Sequence, residues 1–407
     1  MSTYHPSGDS PNLLVRMARG WNQFWFNPAD PTLLGLIRIC CGLITLYVYL
    51  AYTGDLMQFF GKDGWCDIQT INHIRQDQPW PAMSWDWHPV QEKLRFPGPG
   101  VQSDPPTRAE VDYIHTWHFN PEQKDVTLFR GYYGFSFWYH IGCEGVSPAW
   151  MWIFHAATCL VIFLFTIGFC SRLTAILTWI ATISYIHRAP TVLFGQDTMM
   201  NILLLYLMVG PSGAALSVDR LIRHWWETRR ARREGKPAPI WAPPQPLVSA
   251  NVALRLIQVN LCFIYGMSGL SKLHGTSWWN GTAIWLAQAN FEFGPLWFGP
   301  YRWWLRFLCD HRLLWELFIS GSIIFTFFVE VGFPFLVWNR TLRPYMVAAA
   351  IMMHTGIALT MGLRTFSMMM IVMDMAFLPP HVVRGFLLNL REYLGQLVAP
   401  RAEPETA

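Results

Sequence analysis

Charged side chains are scarce in this sequence. They make up 14% of its 407 residues, whereas 52% of the residues are hydrophobic. Soluble domains carry roughly 25% charged residues, so the composition excludes an ordinary soluble enzyme. The net charge of +4 is also too small for the basic surface that nucleic acids require, and we expect no nucleic-acid partner. The sequence predicts an all-α integral membrane protein whose immediate partners are membrane lipids.

Several functional motifs are missing as well. The eight cysteines include no CxxC pair, so neither a zinc centre nor a redox dithiol is indicated. The chain also lacks a Gly-rich phosphate loop, a GxSxG elbow and an HExxH helix. We therefore predict no metal site, and neither nucleotide hydrolysis nor metalloprotease chemistry is indicated. The first thirty residues lack the apolar core and cleavage site of a signal peptide.

Long apolar runs are abundant. A helix needs about 20 mostly apolar residues to cross a bilayer, and eight runs approach that length, at 33–53, 150–170, 173–188, 198–216, 251–271, 318–338, 344–363 and 366–380. They predict a bundle of about eight transmembrane helices within a domain spanning 33–380. Its halves, 33–218 and 251–380, are joined by a basic, Pro-rich linker at 219–250.

Lysine and arginine predict the orientation, because they concentrate in cytoplasmic loops. The linker is the most basic segment of the chain. Alternating outward from it places the short basic segments near Arg16, Arg172, Arg340 and Arg384 on the same side. We predict that segment 1–32 and tail 381–407 are both cytoplasmic, in what we expect to be a bacterial plasma membrane.

Two long segments fall on the opposite, outer face, at 54–149 and 272–317. Both are rich in tryptophan, including Trp80, Trp85, Trp87, Trp117 and Trp138 in the first and Trp278, Trp279, Trp297, Trp303 and Trp304 in the second. They are interpreted either as functional caps or as an aromatic belt at headgroup level. Cys66, Cys143 and Cys309 lie on this face, where a disulfide such as Cys66–Cys143 could form.

The stretch from Tyr265 to Gly281 carries the clearest chemical signal. Lys272 ends an apolar helix there, with small residues one turn before it and Trp278 and Trp279 after it. At the edge of the hydrocarbon the charged form of an amine is disfavoured, and a neutral lysine is a base. The alternative is a lysine that extends to the interface and has no chemical role.

Other polar residues fall at the predicted outer helix ends. Gln196, Asp197, His274 and Arg364 are at that level and, together with the two tryptophans, are predicted to bind a substrate beside Lys272. The alternative is that helix ends are polar in every membrane protein.

Four further charged or polar residues lie deeper in the predicted hydrocarbon: Arg38, Glu330, His354 and Asp374. Buried charges in a membrane need partners. We interpret this group as a structural ion network, with a proton path as the alternative. Counting along the helices places Glu330 ~18 Å from the outer end of its helix, at 1.5 Å per residue.

The order of these elements resembles the horizontally transferred transmembrane (HTTM) domain family, whose best-known member is the vitamin K-dependent gamma-carboxylase. The resemblance is carried by the elements Phe26-Asn-Pro-Ala-Asp-Pro-Thr-Leu-Leu-Gly-Leu-Ile-Arg-Ile39, Leu216-Ser-Val-Asp-Arg220, Gly269-Leu-Ser-Lys-Leu273 followed by Trp279-Asn-Gly281, Val329-Glu-Val-Gly-Phe-Pro334, His354 and Phe377-Leu-Pro-Pro380. Together they cover most of residues 20–380.

The resemblance implies that Lys272 deprotonates a quinol, such as reduced vitamin K, as a carboxylase-type base. Three departures limit this inference. Ser271 replaces the first of the family's paired lysines, Gln196 or Asp197 replaces its histidine near the fourth helix, and the large extramembrane substrate domain has no counterpart.

Three functions remain open at this stage. The first is a carboxylase-like or quinone-linked enzyme, the second is a non-catalytic protein that binds or transports a lipid or small hydrophobic ligand, and the third is a membrane anchor for a protein partner. The sequence names neither that partner nor a cofactor beyond the implied quinol.

Overall fold

The computed structural model describes residues 12–61, 64–65, 136–141, 147–189, 193–290 and 294–398. Within these ranges all regular structure is helical apart from one isolated antiparallel bridge between Ala29 and Leu247. The all-α prediction is therefore confirmed. The predictions for Trp80, Trp85, Trp87, Trp117, Cys66 and Cys143 lie outside the described residues.

The helices follow one another along the chain. Those before the basic segment are α1 (Leu13–Phe26), α2 (Thr32–Tyr52), α3 (Leu56–Phe60), α4 (Trp138–Ile141), α5 (Pro148–Ile167), α6 (Ser171–Arg188) and α7 (Gly195–Val209). Next come α8 (Val218–Arg233), α9 (Val248–Leu273), α10 (Thr276–Trp279), α11 (Ala283–Gln288) and α12 (Gly299–Asp310). The chain continues with α13 (Arg312–Leu336), α14 (Arg343–Thr360), α15 (Arg364–Asp374), a 3-10 turn (Met375–Phe377) and α16 (Pro380–Val398).

Several of these helices can cross a membrane. A helix occupies each of the eight predicted runs, and four in the described chain are long and apolar enough to span a bilayer alone, namely α2, α5, α9 and α13. A fifth span is possible if Arg364–Phe377 and Pro380–Leu390, bent by 112°, act together. The chain is therefore a multi-pass membrane protein by length and composition.

The second predicted tryptophan-rich segment is largely helical. Its described residues form α10, α11 and α12 instead of an extended loop. The predicted linker likewise begins with a helix, α8, on which Trp225 and Trp226 are exposed among arginines. An apolar and basic surface on one helix suits a position at the membrane interface.

The described chain divides into two compact units. The first takes its residues from Met1–Val48, Leu160–Trp179 and Thr198–Ala407, and the second from Tyr49–Cys159 and Ile180–Asp197. The first unit thus contains segments from both sides of the basic linker, unlike the predicted halves 33–218 and 251–380. Lys272 belongs to the first unit and Gln196 and Asp197 to the second.

In the first unit, two of the quoted sequence elements fix helix ends. The Asp30 carboxylate begins α2 by accepting hydrogen bonds from the backbone N–H (2.9 Å) and the hydroxyl (2.7 Å) of Thr32. Asp219 accepts from the backbone N–H groups of Cys170 (2.6 Å) and Ser171 (2.7 Å) where α6 begins. The Ser217 side-chain oxygen caps α8 by accepting a hydrogen bond from the backbone N–H of Arg220.

Arg38 supports the same region. Its guanidinium is fully buried and donates to the backbone carbonyls of Ser212 (2.7 Å) and Leu216 (2.5 Å). Leu216 has a φ of +51°, a conformation that costs a non-glycine residue energy unless neighbouring contacts hold it. Arg38 therefore orders the turn before α8, and its hydrogen bonds do not reach Glu330, His354 or Asp374.

Close packing of α9 on α13 positions the functional site. A Cβ added at Gly269 would lie 2.8 Å from Val331 Cγ2 and 3.2 Å from Glu330 Cβ. The absent side chain lets the two helices approach at this level. One turn later in α13 is Pro334, which has no N–H to donate to the carbonyl of Glu330.

Candidate functional site

A cavity of about 440 Å³ lies in the first unit between α9, α11, α13, α14 and α15. Ligand pockets commonly have volumes of about 300–1,000 Å³, so a small organic molecule or the head of a lipid would fit. Most of the wall is apolar and includes Ile264, Phe318, Phe325, Met353, Phe366 and Met370. The few polar groups in this wall therefore decide what it can recognise.

Helix α9 supplies three of these polar groups. Tyr265, Ser268 and Lys272 follow one another at spacings of three and four residues, which places them on one helix face. Trp278, in the short helix that follows, has its ring centroid 5.5 Å from Lys272 Nζ. The ammonium is thus held at the end of α9 against an aromatic face.

Lys272 forms an ion pair with Glu330. Its ammonium donates to both carboxylate oxygens at 2.8 Å and to the Ser268 hydroxyl oxygen at 2.6 Å. The Ser268 hydroxyl in turn donates to Glu330 Oε1 at 3.2 Å. The three N–H groups of the ammonium are therefore directed at protein oxygens. The amine is thus paired with a carboxylate inside the protein and does not lie alone at the edge of the hydrocarbon.

The structure joins two groups that the sequence analysis kept apart. Glu330 was predicted to lie well below Lys272, yet the two side chains touch. The helix counting assumed that the apolar runs begin and end at common levels. Instead, α9 ends beside the interior of α13, as the contact of Gly269 with Glu330 and Val331 shows.

A second hydrogen-bonded set lies along the same face of α9. The Tyr265 hydroxyl donates to the Asp374 carboxylate, at 3.2 and 3.1 Å from its two oxygens, and lies 3.0 Å from His354 Nε2. Asp374 is fully buried and His354 is 3% exposed. Both Tyr265 and His354 line the cavity. Tyr265 thus links the buried carboxylate of α15 to the imidazole of α14.

Gln288, at the end of α11, is a further polar residue in the cavity wall. The Tyr301 hydroxyl lies 3.0 Å from the Gln288 backbone oxygen and 2.9 Å from that of Thr360, which ties α12 to the ends of α11 and α14. Burial raises the pKa of Tyr301 above its ordinary value, so this hydroxyl stays a donor. Gln288 itself is buried and lines the cavity.

Several predicted site residues do not line this cavity. His274 and Arg364 are exposed, and Trp279 is 72% exposed and donates from its indole N–H to the Leu273 carbonyl at 2.7 Å. Of the predicted binding group in the first unit, Trp278 alone contributes to the wall. The sequence suggested these residues because they follow Lys272 or fall at a similar helix end, and neither criterion fixes where a side chain lies.

Gln196 and Asp197 are in the second unit. Both are buried, and Asp197 accepts a hydrogen bond from the backbone N–H of Phe194 at 3.1 Å. Asp197 lines a small cleft with Tyr49, Tyr52 and other residues of that unit. The cleft, with a volume of about 10 Å³, holds no more than a water molecule.

Sequence analysis missed three residues of the cavity. Tyr265 and Ser268 could have been found, because they precede Lys272 at helical spacing and share its face. Gln288 carries no such signal. It lies at the end of a six-residue helix, and the position of that helix beside the cavity depends on tertiary packing, which the local sequence does not encode.

The arrangement can hold a polar group inside an apolar enclosure and exchange a proton with it. Among the residues that the structure describes, no three His, Cys, Asp or Glu side chains are grouped so that they could hold a metal ion.

No family model matches the chain, and no curated protein or solved structure is detectably similar to it. The resemblance to the HTTM family therefore remains a prediction from the sequence elements.

Proposed function

We propose that the cavity binds a lipophilic molecule of the quinol class and that the Lys272–Glu330 pair removes a proton from its hydroxyl group. The observation that carries this proposal is the ion pair in the wall of a mostly apolar cavity. Ionised groups inside a membrane protein are costly and are commonly functional. A flat ligand ring would pack its apolar faces against the apolar wall and direct its polar edge at the Lys272–Glu330 pair.

The pair can supply a base by moving a proton between its two members. A proton that moves from the ammonium to Glu330, across 2.8 Å, leaves a neutral amine and a carboxylic acid. A low local dielectric lowers the cost of this neutral state relative to the ionised pair. The amine then accepts the hydroxyl proton of the substrate, Lys272 becomes an ammonium again, and Glu330 retains the first proton.

We also propose eight membrane crossings with both termini in the cytoplasm of a bacterium. A helix at each predicted apolar run supports the number of crossings. The basic helix α8, with exposed tryptophans, supports a cytoplasmic interface for the segment between α7 and α9.

The test is the binding of a reduced naphthoquinone to the purified protein in lipid nanodiscs under anaerobic conditions. Deprotonation of the quinol shifts its absorption to longer wavelength, so one titration reports both binding and proton removal. We expect wild type to bind the quinol and to show the shift. Lys272→Arg should bind it without the shift, because a guanidinium cannot act as a base near neutral pH. The exposed, charge-conserving Arg364→Lys should behave like wild type.

Absence of binding in wild type would refute the proposed function. Binding without a spectral shift would favour the second candidate, a non-catalytic binding or transport protein. One observation supports that alternative: the Lys272 ammonium already has three protein acceptors, an arrangement that stabilises its charged form.

A further inference from the structure

One ring nitrogen of His354 is left unsatisfied by the part of the chain that the structure describes. The residue is only 3% exposed, and its Nδ1 has no hydrogen-bond partner among the described residues. Leaving a buried polar atom unpaired costs about 1–3 kcal/mol. The residue lines the cavity, so a bound molecule is the natural source of the missing partner.

The neighbours of His354 assign the proton on its ring. The Tyr265 hydroxyl has one hydrogen, which it directs at the Asp374 carboxylate, where both oxygens are within 3.2 Å. Its oxygen is then free only to accept. We therefore assign the ring hydrogen to His354 Nε2, which lies 3.0 Å from the Tyr265 oxygen. In this neutral tautomer Nδ1 is a lone-pair acceptor.

A second unpaired atom in the wall is also an acceptor. Gln288 is 7% exposed, and its side-chain oxygen has no partner within the described ranges. The principal donors nearby are already used: the Lys272 ammonium by Ser268 and Glu330, and the Tyr265 hydroxyl by Asp374. Among the described residues of the wall, the buried polar atoms that lack partners thus need hydrogen-bond donors from the ligand.

We infer that the ligand is held through a hydroxyl group that donates to His354 Nδ1, so that the cavity prefers a hydroxyl-bearing ring to the same ring with its oxygen alkylated or in the carbonyl form. This inference rests on the proposed function and names the residue that accepts the hydrogen bond of its substrate. His354 is then a binding residue, and Tyr265 and Asp374 are positioning residues that fix its tautomer. A ring in the carbonyl form offers no hydrogen and would face two acceptors.

The experiment compares two redox-inert probes, 4-dodecylphenol and its methyl ether, which differ in the hydroxyl hydrogen and one methyl group. Their binding is measured by mass spectrometry of nanodiscs, with protein-free nanodiscs to correct for partition into lipid. One hydrogen bond contributes about 0.5–1.5 kcal/mol, so we expect wild type to prefer the phenol by about 2- to 12-fold. The ratio is informative because a general loss of structure weakens both probes together.

Variants at the network sharpen the comparison. His354→Phe should abolish the preference while still binding both probes, whereas His354→Gln, which keeps an acceptor, should retain part of it. Tyr265→Phe should reduce the preference, because nothing then holds the hydrogen on Nε2. Arg364→Lys, at an exposed position outside the cavity wall, should leave the preference in place.

The outcomes separate this inference from the proposed function. Equal binding of both probes by wild type, or an undiminished preference in His354→Phe, would overturn the hydroxyl contact and leave the cavity as a binding site. Failure of wild type to bind either probe would overturn both proposals.

Discussion

Breaking the Lys272–Glu330 pair from its two sides should have unequal effects on stability. Lys272→Met leaves the Glu330 carboxylate, 7% exposed, without its cation. Removing one partner of a buried ion pair costs about 3–5 kcal/mol of stability. Because the Ser268 hydroxyl still donates to Glu330, we expect Lys272→Met to lose about 3 kcal/mol, the lower end of this range. Glu330→Gln keeps an oxygen acceptor for Lys272, and the Lys272 side chain is 24% exposed, so water can hydrate it. We therefore expect this variant to lose only about 1–2 kcal/mol of stability.

The double variant Lys272→Met/Glu330→Gln completes the cycle. Replacing both charges with uncharged groups of similar size removes the buried carboxylate and the unpaired ammonium together. We therefore expect a loss of about 1–2 kcal/mol for the double variant, smaller than the loss for Lys272→Met alone. The coupling between the two substitutions should be about 2–4 kcal/mol, the amount by which the summed single losses exceed the loss of the double variant.

Unfolding by increasing mole fractions of SDS, followed by tryptophan fluorescence in a mild detergent, measures each free energy. The charge-conserving variant Arg364→Lys controls for substitution of an exposed cation near the same helix ends. Additive effects of Lys272→Met and Glu330→Gln would refute the ion pair, because two residues that do not interact give no coupling. Equal costs for the two single variants would refute the assignment of Glu330 as the more buried partner.

Two further predictions concern packing and topology. Gly269→Ala should destabilise the protein by about 1–3 kcal/mol in the same SDS unfolding assay, because the new Cβ would lie 2.8 Å from Val331 Cγ2. The matched Gly266→Ala, whose Cβ would have its nearest atom at 3.4 Å, should be neutral or stabilising. Equal effects of the two substitutions would contradict the close approach of α9 and α13. In variants with a single cysteine, a membrane-impermeant maleimide should label the exposed Cys309 on intact cells and the exposed Cys170 only after permeabilisation; the reverse pattern would refute the proposed orientation.

Apolar run length predicted where the helices lie because it is a local property. A helix occurs at each of the eight predicted runs. At the majority of helix ends, the observed boundary differs from the predicted one by only a few residues. Whether each run crosses the membrane is less local, since α7 has only 15 residues and α15 reaches the required length only with its bent continuation. Length and hydropathy therefore support four or five spans directly.

The structure places Lys272 in a cavity wall and leaves most of its predicted neighbours outside that wall. Lys272 was singled out by its place at a helix end. Its partner Glu330 was assigned to another level, because the relative shift of two packed helices depends on side-chain fit, here on Gly269. Asp219 shows the converse case: a residue quoted for family resemblance whose contacts are those of a helix cap.

Pro334 gives α13 a property that none of the contacts above reveals. The carbonyl of Glu330 lacks the backbone donor that an ordinary residue four positions later would provide. The turn that carries the carboxylate can therefore flex without losing a backbone hydrogen bond, and prolines of this kind are common origins of helix kinks. A bend at this turn would therefore move the Glu330 carboxylate relative to the Lys272 ammonium, so the geometry of the ion pair depends on how straight α13 is.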